Sequence, residues 1–164
     1  MINNSKNIAL SIMSISDLEN IKDILISDFD DYWNYNTLKE ELTSENSIYI
    51  VAKWLPNLSN SRATNEFSKS TIKNKEASDV FRPDVSIVDV SKPKIIGFAG
   101  IKLILDEAEL MNIVVKKSYR NLGVGTLLLQ ELLNICKNKS ITSIFLEVNE
   151  KNLNAQKLYN NFGF

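Results

Sequence analysis

Residues 112–126 read NIVVKKSYRNLGVGT, which combines the end of an apolar strand, a turn with two glycines and the start of a helix. Glycine lets the main chain approach a ligand closely, and a helix start presents unpaired N–H groups with partial positive charge. Together these features predict a main-chain site for a pyrophosphate group. The spacing matches neither G-x-G-x-x-G nor G-x-x-x-x-G-K-[ST], which excludes both of those nucleotide loops. Taken alone, the pattern is explained more simply by an ordinary turn before a helix.

The elements around this stretch follow from hydrophobic periodicity, β-branched content and capping patterns. Two capping boxes, Ser16–Glu19 and Thr37–Glu40, predict the starts of the first two helices. Strands are expected at residues 8–14, 47–54, 94–105, 107–115 and 143–148, and helices at 16–28, from 37 onwards, at 123–137 and at 154–162. Helices that cross between strands in the second half favour an α/β fold with a parallel or mixed sheet.

Length and composition predict one globular domain over residues 1–164. The chain has 164 residues, of which 44% are hydrophobic and 24% charged, and its net charge is -1. It lacks both an apolar run of the roughly 18 residues that a membrane span needs and an N-terminal signal pattern, so we expect no membrane association. The near-zero net charge argues against a nucleic-acid partner.

The composition also restricts the chemistry. The chain contains no histidine, which excludes Ser-His-Asp and Cys-His catalysis, and with a single cysteine, Cys136, we expect no metal site. A lone cysteine also fits a reducing, cytoplasmic location. An enzyme with this composition must use carboxylates, Tyr, Lys or main-chain dipoles.

Residues 55–93 interrupt the regular pattern. They are rich in Ser, Asn and Lys, and most of the stretch has no hydrophobic periodicity. Loops of this length are uncommon inside compact domains, so we interpret it as a polar surface insertion that is partly mobile. A lid or a partner-binding arm is the functional alternative.

Two motifs carry a family resemblance. R-x-x-G-x-G at residues 120–125 is followed by Asn152-x-x-Ala155-x-x-x-Tyr159-x-x-x-Gly163-Phe164. This pair resembles the GNAT superfamily of acetyl-CoA-dependent N-acetyltransferases. Within it, DEAELMNIVV at residues 106–115 and FLEVNEKNLNAQKLYNNFGF at residues 145–164 are similar to the RimI type, the ribosomal-protein-alanine N-acetyltransferases. The resemblance implies a GNAT-like mixed central sheet flanked by helices, with acetyl-CoA as the co-substrate and no metal.

The resemblance also implies a path for acetyl-CoA along the chain. The strand backbone would pair with the pantetheine arm, main-chain N–H groups of the turn would surround the pyrophosphate, and the amide of Asn152 would lie near the thioester. Arg120 would help to neutralise the phosphates. The implied cofactor-binding residues are Ile113, Val114, Val115, Arg120, Asn121, Leu122, Gly123, Val124, Gly125, Thr126 and Asn152.

Two residues match the catalytic positions of the RimI pattern. Glu147 is implied as the general base that removes a proton from the amine, and Tyr159 as the general acid for the leaving thiolate. Helices on both faces of the sheet would bury Glu147, as suits a base that works near neutral pH. A solvated Glu147 and a Tyr159 that only fills the core remain open as alternatives. The attack would be direct, because Cys136 is expected to be a buried core thiol.

The implied acceptor is the N-terminal α-amine of an alanine in a small-subunit ribosomal protein. Trp33, between Tyr32 and Tyr35, occupies the place of a Pro-Trp-Ser turn that lines the peptide groove in this family. Two alternatives stay open: a GNAT enzyme that acts on a small amine or a lysine side chain, and a degenerate acetyl-CoA-binding module without catalysis.

The resemblance ends at Phe164, where the family begins its sixth strand. We therefore expect a GNAT domain without its last two strands. The strand at residues 143–148 would then have an open edge, and we expect a monomer or a weak dimer.

Overall fold

The computed structural model describes residues 7–22, 25, 34–55 and 93–164. Trp33, Tyr32 and nearly all of the predicted insertion lie outside the described residues. The elements, in chain order, are β1 (Ile8–Ile12), α1 (Ile15–Asn20), α2 (Tyr35–Thr43), β2 (Ser47–Trp54), β3 (Lys94–Ile104), β4 (Glu107–Val115), a 3₁₀ turn (Lys117–Tyr119), α3 (Val124–Asn138), β5 (Ser143–Leu146) and α4 (Leu153–Asn160). Among these described parts, no helix is long and apolar enough to cross a membrane.

The strands of the described residues form one five-stranded sheet in the order β1-β2-β3-β4-β5. β1 to β4 pair antiparallel, whereas β5 pairs parallel to β4 after the connection through α3. A parallel neighbour needs a crossover of this kind, because a tight turn can join only antiparallel strands. The prediction of a mixed sheet flanked by helices is therefore confirmed.

Strand alternation divides the core into two parts, one on each face of the sheet. On β2, Ile50 and Ala52 pack towards α3, while Tyr49 and Val51 pack towards α1 and α2. The α3 side chains Leu128, Leu129 and Leu132 are almost completely buried against the first face. Burial of each such leucine stabilises the fold by about 1.5–3 kcal/mol.

α1 begins two residues earlier than the sequence pattern predicted. Its N-cap is Ser14, whose main-chain N–H donates to Asp17 Oδ2 at 3.0 Å while Asp17 N–H donates to Ser14 Oγ at 3.2 Å. The predicted box of Ser16 and Glu19 is wrong. The same pattern of a hydroxyl and a carboxylate occurs in two overlapping registers, and the register that forms also lets Asp17 pair with Lys53 of β2 at 2.8 Å.

α2 also begins before its predicted cap. Asn34 is the N-cap, and its Oδ1 accepts the N–H of Thr37 at 2.9 Å. Thr37 is therefore the third residue of the helix, not its cap. Asn and Thr are both good capping residues, so local preference alone could not separate the two starts.

Candidate functional site

β4 and β5 separate halfway along β4. The two strands pair from Glu107 with Ser143 to Leu110 with Leu146, but β4 continues to Val115. The register of β4 against β3 shifts at the same point. Ile101 pairs with Leu110, and the next residue of β3, Gly100, pairs with Asn112. Met111 is therefore an extra residue in β4. Such a bulge bends a strand. Beyond it, in the part of the chain that the structure describes, the β4 edge that faces away from β3 has no strand partner.

The start of α3 presents free main-chain donors. Gly123 is the N-cap with φ +82°, and no side chain caps the helix. The first bond at this end runs from Leu127 N–H to the Gly123 carbonyl at 3.0 Å, so the amides of residues 124–126 have no acceptor within the helix. A Cβ atom at Gly123 would meet nothing within 4 Å, so the space beside this residue is open. These donors fit an anionic group such as a pyrophosphate.

The loop that leads to α3 is held against the sheet. Lys116 N–H donates to the Ile96 carbonyl at 2.9 Å, and Arg120 Nε donates to the Val115 carbonyl at 3.0 Å. The Tyr119 ring packs against Trp54 with 6.0 Å between the ring centroids. The Arg120 side chain therefore stabilises the junction between the end of β4 and the loop in this structure.

Gly125 brings α3 close to both β4 and α4. A Cβ atom there would lie 3.4 Å from Leu158 Cδ2, 3.8 Å from Val115 Cγ2 and 4.0 Å from Ile113 Cγ2. The donors at the start of α3 are thus next to the unpaired β4 edge. These are the two parts of the predicted acetyl-CoA path, and the structure brings them together.

Glu147 does not have the environment expected from the sequence. β5 ends at Leu146, and Glu147 follows it as an exposed residue. Its neighbour two positions back, Phe145, is 56% exposed. The prediction of a buried carboxylate is wrong, because it assumed helices over both faces of β5, and no described helix covers this one.

Tyr159 lies in the core beside α3 and is only 9% exposed. Its ring makes an edge-to-face contact with Phe164, with 6.1 Å between the centroids. Burial raises the pKa of the Tyr159 phenol. The hydroxyl therefore stays protonated at neutral pH, which is the state that a proton donor requires.

Asn152 is the N-cap of α4. Its Oδ1 accepts the N–H of Ala155 at 3.1 Å, and the residue is exposed. Capping uses one acceptor position of the amide oxygen, and the Nδ2 group remains available to a ligand. In contrast, Cys136 is almost fully buried in the core, and burial raises the pKa of its thiol.

Sequence reasoning did not single out one polar pair close to this site. Tyr49 Oη and both side-chain polar atoms of Asn112 are buried without a hydrogen-bond partner in the described structure. A lone amide within the apolar strand ELMNIVV was a usable signal for Asn112, whereas Tyr49 looks like any aromatic residue of a strand. No group of three or more potential metal ligands occurs among the described residues.

Comparison with known proteins gives one matching family model and several relatives. The model of the acetyltransferase (GNAT) family matches residues 55–164. A "[Ribosomal protein bS18]-alanine N-acetyltransferase" from Haemophilus influenzae is 41% identical over 75 residues, which are 46% of this chain and 51% of that protein. The chain thus spans about half the length of the curated relatives it matches.

Solved structures share the fold. The ribosomal-protein-S18-alanine N-acetyltransferase from Escherichia coli has a TM-score of 0.64 at 21% identity, over 95% of this chain and 76% of that one. The PaiA N-acetyltransferase from Thermoplasma acidophilum, in complex with coenzyme A, has a TM-score of 0.62 at 20% identity, over 96% and 89% of the two chains.

Proposed function

The chain belongs to the acetyltransferase (GNAT) family, and from that premise we propose that it transfers an acetyl group from acetyl-CoA to the N-terminal α-amine of a protein. The acceptor is an N-terminal alanine, in a small-subunit ribosomal protein. The names of the similar proteins from Haemophilus influenzae and Escherichia coli support this choice. The observation that carries it is the junction of the unpaired β4 edge with the free N–H groups of α3.

The residues present fit acetyl-CoA, which would supply the acetyl group as an activated thioester. The edge of β4 at residues 113–115 would pair with the amide groups of the pantetheine arm, as an added strand does. The turn and first helical residues, Asn121 to Thr126, donate main-chain N–H groups to the pyrophosphate. Arg120 adds positive charge beside them, and Asn152 contributes its Nδ2 near the thioester.

Two proton transfers complete the reaction. The amine nitrogen attacks the carbonyl carbon, so that a C–N bond forms and the C–S bond breaks. Glu147 accepts the proton that the amine loses, directly or through a water molecule, and Tyr159 donates a proton to the departing sulfur. The exposed position of Glu147 gives it access to an incoming peptide. Cys136 takes no part, because its buried, protonated thiol is a poor nucleophile.

An α-amine suits this machinery. Its pKa is about 7.7–8.0, against about 10.4 for a lysine side chain, so more of it is already the neutral nucleophile near pH 7. A solvated carboxylate then needs only to accept the proton that the amine loses when it attacks the acetyl group. This favours an N-terminal acceptor over a lysine side chain.

The test is acetyl transfer from acetyl-CoA to a panel of amines. We expect turnover with peptides that begin with alanine and little with a lysine peptide whose N-terminus is blocked, or with free polyamines. The matched control is the same alanine peptide with an acetylated N-terminus. Faster turnover of polyamines or of the lysine peptide would show that one of these, and not an N-terminal alanine, is the acceptor. If the chain binds acetyl-CoA but acetylates no amine, it is an acetyl-CoA-binding module without catalysis.

A further inference from the structure

Tyr49, Gly100 and Asn112 lie side by side across three strands. Tyr49 pairs with Gly100 between β2 and β3, and Gly100 pairs with Asn112 between β3 and β4. A Cβ atom at residue 100 would overlap the Tyr49 ring, with Cδ1 only 2.6 Å away. Only glycine therefore allows the ring to lie across β3. This brings the phenol to the side-chain amide of Asn112, which acts on its ionisation.

This polar pair lacks the hydrogen bonds that buried groups normally make. Tyr49 is 2% exposed, and in the described structure neither its Oη nor the Nδ2 and Oδ1 atoms of Asn112 make a hydrogen bond of full geometry, although the Asn112 amide is near enough to the phenol to lower its pKa. An unsatisfied buried polar group costs about 1–3 kcal/mol, and native proteins contain few of them. Apolar residues of the same shape would be at least as stable here. The polar atoms therefore point to a role other than stability.

Asn112 connects this pair to the functional site. It directly follows the bulged residue Met111, where β4 leaves β5. Its side-chain polar atoms are buried beside Tyr49, while its main chain belongs to the segment whose outer edge is unpaired. A contact made by the Asn112 side chain therefore acts on the residue next to the bulge.

The surroundings keep the phenol protonated. Burial raises the pKa of Tyr49, the negative charge of Glu41 adds to that rise, and the nearby amide of Asn112 acts against it. Glu41 is fixed in turn by Lys102 Nζ at 3.1 Å and by the hydroxyl of Ser47. Tyr49 therefore keeps its proton at neutral pH.

We propose that Tyr49 is a positioning residue that acts through Asn112. The contact between its phenol and the Asn112 carboxamide fixes the bulge of β4, so that the unpaired main-chain groups there face the acetyl group of acetyl-CoA. This role rests on the proposed function, because the bulge has a ligand to face only if acetyl-CoA binds along β4. Neither side chain touches the reacting atoms.

Two shape-preserving variants, Tyr49→Phe and Asn112→Leu, test this role. Each removes unsatisfied polar atoms, so the free energy of unfolding in urea should stay the same or rise. On an alanine peptide, kcat should fall by roughly tenfold while KM for the peptide changes less than about twofold. Since the two residues act as one unit, the double variant should be no slower than the slower single variant.

An equilibrium measurement gives a second readout without an acceptor. Coenzyme A lacks the acetyl group that the bulge would position. The ratio of the Kd for coenzyme A to the Kd for acetyl-CoA therefore measures the contact between the bulge and the acetyl group. By calorimetry we expect the parent to favour acetyl-CoA, and both variants to lose that preference. Thr142→Val is the control, because its hydroxyl bonds to Asp106 at the opposite end of β4. It should lower stability and leave kcat and the ratio unchanged.

The outcomes separate this role from the proposed function. Variants that keep kcat within about twofold of an active parent, or that lose stability together with kcat, would overturn the positioning role and leave the acetyltransferase proposal intact. A parent that binds the two ligands equally would also overturn it. If the parent acetylates no amine but the variants still lose the preference for acetyl-CoA, the positioning role stands and the proposed reaction is refuted.

Discussion

Glu147 and Tyr159 have opposite surroundings, although the proposed reaction gives both of them a proton to move. Glu147 is solvated beyond the end of β5, whereas Tyr159 is packed in the core. A solvated carboxylate can pass its proton to water after each turnover. A buried phenol stays protonated at neutral pH, so it holds a proton that it can share with the departing sulfur. The two residues therefore exchange protons with different surroundings, Glu147 with solvent and Tyr159 inside the core.

Removal of either group should slow the chemical step. Glu147→Gln and Tyr159→Phe keep the side-chain shape and remove the proton transfer, so each should lower kcat by roughly 10²–10⁴-fold. The affinity for acetyl-CoA, measured by calorimetry, should change little because main-chain groups hold it. Glu150→Gln, an exposed neighbour, serves as the matched control. Turnover of both variants within about threefold of the parent would refute the assignment of these two residues.

Alkaline pH should destabilise the fold through its buried tyrosines. Burial raises the pKa of Tyr159 and of Tyr49 above the unfolded value of about 10. A pKa that is higher in the folded state contributes stability below the unfolded pKa, and this is lost as the pH rises through the folded pKa. Urea unfolding at pH 7 and at stepwise higher pH should show the loss. Tyr159→Phe should make the decline shallower, and an equal slope would contradict this explanation.

At the level of single elements, local sequence signals located the elements but not always their ends. β2 and β4 have the predicted bounds. Both helix starts in the first half were misplaced, because several hydroxyl and amide side chains compete for the cap within a few residues. Tertiary contacts, such as that of Asp17 with Lys53, select among them.

The corrected cap of α1 can be tested directly. Ser14→Ala should lower the free energy of unfolding by about 0.5–2 kcal/mol, because it removes the acceptor for Asp17 N–H. Ser16→Ala is the control, and it should cost less than about 0.5 kcal/mol as an ordinary surface change. Urea denaturation of both variants gives the comparison. A larger loss for Ser16→Ala would restore the register expected from the sequence.

The two glycines at the start of α3 should differ in their tolerance of alanine. Gly123 has φ +82°, so Gly123→Ala adds backbone strain of about 1–2 kcal/mol. The strain would also shift the N–H donors and weaken acetyl-CoA binding. At Gly125 a Cβ atom would be in ordinary contact with Leu158, so Gly125→Ala should fold and bind normally. Calorimetry and urea unfolding of both variants test this, and equal effects would contradict it.

For the whole molecule, periodicity favoured a parallel or mixed sheet, the family resemblance implied the mixed one, and the glycine turn located the start of α3. The sequence could not predict the bulge at Met111, since a bulge depends on the pairing of β4 with β3 across the sheet. The prediction that Glu147 is buried was wrong for a related reason, because its exposure depends on which elements cover that face of the sheet. The pairing of Tyr49 with Asn112 is likewise a contact across three strands.

Ligand binding should be visible in the stability of the whole molecule. A ligand that binds only the folded chain at about 100 times its Kd stabilises it by about 2.7 kcal/mol. For a chain of this size each kcal/mol raises Tm by about 2–4 °C, so saturating coenzyme A should give a clear thermal shift.

The size of that shift should depend on both halves of the site. Coenzyme A engages the N–H groups of α3 and the β4 edge, whereas ADP carries a pyrophosphate and no pantetheine arm. At equal concentration ADP should therefore raise Tm less than coenzyme A does. Gly123→Ala should reduce both shifts, while Glu147→Gln should reduce neither, because this carboxylate does not hold the ligand. Equal shifts with the two ligands would show that the unpaired β4 edge contributes nothing to binding, and the path along residues 113–115 would have to be abandoned.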